Sequence, residues 1–257
     1  MAMRQRLIVL AACSVWAVLG CNGTPNGKTE PTEYTLFGLA ELNLEMDAEY
    51  LYVQFLKETE PIPGSFAKLG TDTLFFNENG VIDVTVDPGT WKYNTMLAVT
   101  VFDTSADFTY TVTERMPVNV TITDFVPTNH LYSGGSVVVG WISAGSPSGV
   151  LITCVPRSLD SYAPGFAASY GSGVSTATIG PEAFVNPYSG ERVADSFFVY
   201  VTAYDPTFEI RPGAAYTALE RMENLSFPNS LSGANISGIF GAAVVSSREI
   251  LEVLAQE

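Results

Sequence analysis

Between residues 50 and 123 apolar side chains recur at every second position, a spacing that only an extended chain gathers onto one face. Leu51, Val53 and Phe55 alternate with Tyr50, Tyr52 and Gln54, and Ile82, Val84 and Val86 with Asp83 and Thr85. Leu97, Val99 and Val101 repeat the spacing, as do Phe108, Tyr110 and Val112, and then Val118, Val120 and Ile122. Turn formers separate these runs: Pro61-Ile62-Pro63-Gly64, Asn77-Glu78-Asn79-Gly80 and Asp87-Pro88-Gly89. Short alternating strands between such turns predict an all-β sandwich and exclude a βαβ series. Asn77-Glu78-Asn79-Gly80 has some of the composition of a calcium loop, but a hairpin turn explains it better.

A second strand series follows residues 124–135 (DFVPTNHLYSGG), which break the rhythm and are read as a domain junction. Val137, Val139 and Trp141 share one face; Val150 to Val155 forms a continuous apolar run; Ala177 and Ile179 come next. Phe197, Val199, Val201 and Ala203 follow, then a late strand from Ile236 to Val245. The expected division is residues 34–125 for one domain and 126–257 for another. Residues 156–173 and 206–233, rich in Gly, Pro, Ser and Tyr, read as long loops, where binding most often sits. Within the second, residues 217–222 fit one or two helical turns; residues 248–254 fit either a last strand or a helix.

The amino terminus carries a different signal. Arg4 and Arg6 precede an uncharged, mostly apolar stretch from Leu7 to Leu19, shorter than the ~20 residues of a comfortable bilayer-spanning helix. Val18-Leu19-Gly20-Cys21 resembles the lipobox of bacterial lipoproteins. The resemblance implies export, removal of residues 1–20 after Gly20, and lipid on the sulfur and new amine of Cys21. Asn22 stands where, in that family's sorting rule, Asp retains a lipoprotein in the inner membrane, so the outer membrane is favoured. Residues 21–33 then serve as the lipidated cysteine and a flexible tether.

Trp141 in Val137-Val138-Val139-Gly140-Trp141 and the late strand Phe197, Val199, Val201, Ala203 resemble hallmarks of fibronectin type III and immunoglobulin-like sandwiches. The implied architecture is two consecutive Ig-like/fibronectin III-like β-sandwich domains behind a lipoprotein signal and a short tether. Such sandwiches host many unrelated functions.

The formal charge is −15; without Arg4 and Arg6 the mature chain has 10 basic and 27 acidic residues, or −17. That surface repels phosphate backbones and excludes a nucleic-acid role. It is also held off anionic bilayers, leaving membrane attachment to lipid. Cys13 leaves with the signal and Cys21 takes lipid, so Cys154 remains, read as a small buried hydrophobe in its apolar run. With one histidine, His130, and one free cysteine, the usual zinc sets and a cysteine or serine nucleophile site are not expected, and no cofactor motif is present. No catalytic residue is named, and a carboxylate-dependent hydrolase is a remote alternative. Loop aromatics offer the functional opening: Tyr132, Tyr162, Tyr170, Tyr188, Tyr204, Tyr216 and Trp91. They are candidates to stack on sugars or anchor a protein partner, against the plainer role of strand-end core residues. The sequence therefore points to a non-enzymatic, lipid-anchored envelope protein acting in adhesion, binding or assembly, with carbohydrate binding as the alternative.

Overall fold

The computed structural model describes residues 34–45, 47–87, 89–131, 134–158, 162–205, 209–210, 225–226, 231, 235–246 and 249–254. Of 209–210, 225–226 and 249–250 only the backbone is described. Residues 31–257 form one compact unit. Gly20 and Cys21, with the rest of the expected signal and tether, lie outside the described residues, as do Tyr132, Tyr216 and the expected helical turns at 217–222.

Strands dominate, as the alternation predicts. In the first half run β1 (Tyr34–Asn43), β2 (Ala48–Lys57), β3 (Glu60–Pro61), β4 (Phe66–Leu69), β5 (Asp72–Phe75), β6 (Val81–Val86), β7 (Met96–Asp103) and β8 (Phe108–Arg115). β1, β2 and β6 pair in that order, with β3 extending β2; β5, β4, β7 and β8 form the facing sheet. In the second half follow β9 (Val120–Val126), β10 (His130–Leu131), β11 (Val137–Ser143), β12 (Gly149–Pro156), β13 (Phe166–Tyr170) and β14 (Thr176–Ile179). A 3₁₀ turn, Pro181–Phe184, leads to β15 (Asp195–Asp205), β16 (Glu209–Ile210), β17 (Leu225–Ser226), β18 (Ile236–Val245) and β19 (Glu249–Val253). β9, β11 and β14 make a three-stranded sheet, and β13, β12 and β15 continue into β18 and β19.

Leaving aside the two-residue strands, both halves repeat one order. The first, second and fifth strands form one sheet, and the fourth, third, sixth and seventh form the other; in the second half β18 and β19 share the seventh place, both pairing with β15. This is a Greek-key sandwich of the immunoglobulin-like and fibronectin III-like class, made twice. The position expected for the division, between residues 125 and 126, falls inside β9. That strand pairs with β11, Val126 opposite Val138, so strand order moves the division back to the β8–β9 connection, residues 116–119. Three further expectations change. Residues 156–173 hold a strand, β13, whose small residues Ala167, Ala168 and Ser169 hide it from an apolar-period reading. Within residues 248–254, left open between strand and helix, residues 249–253 form strand β19. The Asn77 turn forms as expected, with its side-chain oxygen accepting from the amides of Asn79 (2.9 Å) and Val81 (3.1 Å). Yet β5 and β6 belong to opposite sheets, so it is a crossing turn and not a hairpin.

The halves are joined in a way that alternation cannot show. β1 pairs in parallel with β18 along all ten residues, from Tyr34 opposite Ile236 to Asn43 opposite Val245. One ten-stranded sheet thus runs through both sandwiches. Its inner face lies in the main core with Leu36, Phe55, Ile152, Cys154, Val199 and Phe240. Around β1, β12, β15 and β18 its other face carries a second apolar cluster of Leu39, Leu151, Val155, Tyr200, Tyr204, Ala243 and Val245. Both faces of β12 are therefore covered, which accounts for the burial of every residue from Gly149 to Val155 and for a run that is apolar but for Thr153.

Candidate functional site

The aromatic residues separate cleanly by exposure. Tyr204 is 3% exposed and belongs to the second apolar cluster, while Tyr170 is half-buried with its ring 5.7 Å from that of Trp141. Trp91 is buried, its backbone amide donating to Glu49 Oε2 at 2.9 Å. These three serve the core. Tyr162 and Tyr188 do not: they are 66% and 88% exposed, and their rings meet at 6.4 Å with planes 86° apart.

Local chain chemistry sets this pair. Residues 186–190 read Asn-Pro-Tyr-Ser-Gly, a dense group of turn formers. Val185 bridges Arg192, the Asn186 amide donates to the Glu191 carbonyl (2.7 Å), and the Gly190 amide donates to the Asn186 carbonyl (2.8 Å). The Asn186 side-chain oxygen accepts from the amide of Tyr188 at 2.8 Å. Tyr188 therefore rides the tip of a tight hairpin between the 3₁₀ turn and β15. Tyr162 arrives from the β12–β13 connection.

Beside the rings lies a cleft of about 360 Å³, lined by Ser158, Tyr162, Asn186, Ser189, Glu191, Arg192, Val193, Ala194 and Asp195. That is the lower end of the size range of small-molecule sites. Its lining is mostly polar. Asp195 is occupied as a scaffold: Oδ2 accepts from the Ser158 amide (3.1 Å) and Oδ1 from the Ser196 amide (2.7 Å). Arg192 Nη1 donates to the Leu131 carbonyl at 3.4 Å. Glu191 and Asp195 are the kind of pair a carboxylate hydrolase would use, but Asp195 spends both oxygens on backbone amides. Asn186, Glu191, Arg192 and Asp195 had no motif to mark them, because the fold, not a spacing, brings them to Tyr162.

Other residues singled out in the sequence take structural places. His130 Nδ1 is 3.1 Å from Glu252 Oε2, its cross-strand neighbour between β10 and β19. Cys154 is fully buried, and burial pushes its thiol pKa up, away from nucleophilic use. Among the described residues, no three His, Cys, Asp or Glu side chains gather as metal ligands would.

The cleft lies at the far end of the unit from Tyr34. β15 starts at Asp195 and runs ten residues to Asp205, opposite Ala242; β18 extends six more, to Ile236 opposite Tyr34. At ~3.3 Å per residue the strand path covers about 50 Å.

No protein-family description matches the sequence, and no curated protein matches it. Solved structures do. The FN1–FN3 domains of chicken CNTN1 are 14% identical with a TM-score of 0.28; the match covers 67% of this chain and 58% of that one. A two-domain fibronectin type III segment of chicken tenascin is 7% identical with a TM-score of 0.25, covering 60% and 83%. The chain thus spans somewhat over half the length of the CNTN1 structure.

Proposed function

We propose that this chain is a non-enzymatic, lipid-anchored protein of the cell envelope that works by binding, and that it holds its ligand at the Tyr162–Tyr188 cleft. One observation carries the reading. An exposed pair of aromatic rings beside a polar cleft stands about 50 Å of strand path from Tyr34, where the tether joins. Solvent-facing rings pack nothing in the core, so a partner outside the chain is the natural use of their area. The lipobox supplies the other half of the reading. Lipid on Cys21 fixes one end of the chain, and residues 21–33 span at most ~45 Å when fully extended. The ligand end then faces away from the membrane that holds the anchor, toward whatever layer or cell lies beyond. The outer membrane is the favoured location.

Two linked measurements test this. Intact mass of the native protein should show a chain starting at a diacylglyceryl-modified Cys21, and Cys21→Ser should move the protein into the soluble fraction. An uncut leader or a bare Cys21 thiol would remove the anchor from the account. In the lipidated protein Cys154 is sealed in the core, so Tyr188→Cys introduces an accessible thiol. A membrane-impermeant maleimide should label that variant and leave the parent unlabelled. Labelling of intact cells would place the cleft on the surface; labelling only after opening the outer membrane would place it in the periplasm.

A further inference from the structure

We infer that the corner made by Tyr162 and Tyr188 is a stacking subsite for a neutral, hydroxyl-rich sugar, an inference that rests on the binding role proposed above. Three features choose this ligand class. First, two ring planes 86° apart form a floor and a wall. A pyranose has an apolar C–H face to lay on one ring and an edge to set against the other. Second, the rim of such a sugar needs donors and acceptors at its equator, and the adjoining cleft supplies Asn186, Ser189, Glu191 and Arg192. Arg192 has five N–H donors and gives one to Leu131, keeping others for hydroxyls. Third, charge selects against acidic glycans: the cleft sets Glu191 and Asp195 against Arg192, on a chain of net −15. A hydrophobic peptide anchor fits less well, because beside Tyr162 the cleft's lining offers only Val193 and Ala194 as apolar side chains.

The test uses the purified lipoprotein in detergent micelles on an array carrying neutral and acidic glycans. Retention on one or more neutral glycans is expected. Tyr188→Ala should weaken it about tenfold, the worth of one aromatic contact, and Tyr188→Phe, which keeps the ring, should retain most of it. Tyr93→Ala, an exposed tyrosine of the first sandwich, should leave binding unchanged. Circular dichroism of each variant checks that the strands persist; the exposure of Tyr188 makes loss of fold an unexpected result. An array silent for neutral glycans, binding confined to acidic ones, or binding undiminished in Tyr188→Ala would each overturn the inference. The two levels fail separately. A silent array with Cys21 lipidated and position 188 labelled removes the sugar alone, whereas an unlipidated Cys21 removes the anchored role whatever the array shows.

Discussion

Three buried or half-buried carboxylates, Asp103, Glu114 and Glu49, bear on stability, each differently. Asp103, 1% exposed, accepts from the Tyr34 hydroxyl (3.1 Å) and from the amide (2.9 Å) and hydroxyl (2.6 Å) of Ser105. Burial by itself would raise its pKa; these hydrogen bonds and the charge of Lys57 outweigh it and hold the group below the ordinary aspartate value. Glu114 goes the other way. Burial, then repulsion from Asp205, push it up to about 7. The signs give a pH profile. Asp103 stabilises the fold at every pH above its unfolded pKa near 4, and that contribution fades as pH falls through its lower folded value. Glu114 is costly when ionised, so its penalty lifts as pH drops from about 7 toward its unfolded value near 4.5. Thermal melts should therefore show greater stability near pH 5 than at pH 8. Glu114→Gln should raise the melting temperature at pH 8 and change little at pH 5; an equal shift at both would sink the assignment. Glu49 is the third case. Its two oxygens accept from the amides of Gly89 (2.5 Å) and Trp91 (2.9 Å), tying that stretch of chain to β2. Glu49→Ala strands the buried Trp91 amide and leaves the exposed Gly89 amide to water, and should cost roughly 2 kcal/mol in urea unfolding, with a red shift in tryptophan emission.

At the level of elements, the seam between β1 and β18 depends on missing side chains. Gly238 stands opposite Leu36 with φ at 134°, and a Cβ there would lie 1.8 Å from the Leu36 carbonyl oxygen. Gly38 faces Phe240, whose ring would come within 2.3 Å of an added Cβ. Gly238→Ala should break the ladder at this point and cost roughly 3 kcal/mol, the upper part of the ordinary range for one substitution. Hydrogen exchange should show the β1 amides losing protection while those of β7 and β8 keep theirs; uniform loss would contradict a local seam. The same seam marks the limit of what the sequence discloses. β7 and β15 were legible because Leu97, Val99 and Val101, and Phe197, Val199, Val201 and Ala203, fall in step on one buried face. β1 was not, since Leu36 and Ala40 enter one core while Leu39 enters the other, which blurs the alternation. A parallel partner about two hundred residues away leaves no trace in local spacing. In the cleft, Tyr188 stood out in the sequence as a loop aromatic, while the turn that carries it was not marked. The meeting of Tyr188 with Tyr162 was not legible either, because that contact exists only after β12 and β15 pair.

For the whole molecule, the shared sheet makes two repeats of one fold behave as one body. A ten-residue ladder and a continuous core tie residues 34–115 to residues 120–253. Calorimetry should record a single unfolding transition, and limited proteolysis should not release stable halves by cutting within residues 116–135. Two transitions, or a durable fragment ending near residue 118, would show that the halves keep separate stabilities. The ladder's direction has a mechanical consequence. A pull between the proposed ligand cleft and the proposed lipid anchor would drag Tyr34 one way while β15 holds β18 the other. Force then runs along the ladder instead of across it, so its bonds resist together in shear and do not open in turn like a zip. A protein stretched between a membrane and something it grips would yield elsewhere before this seam parted.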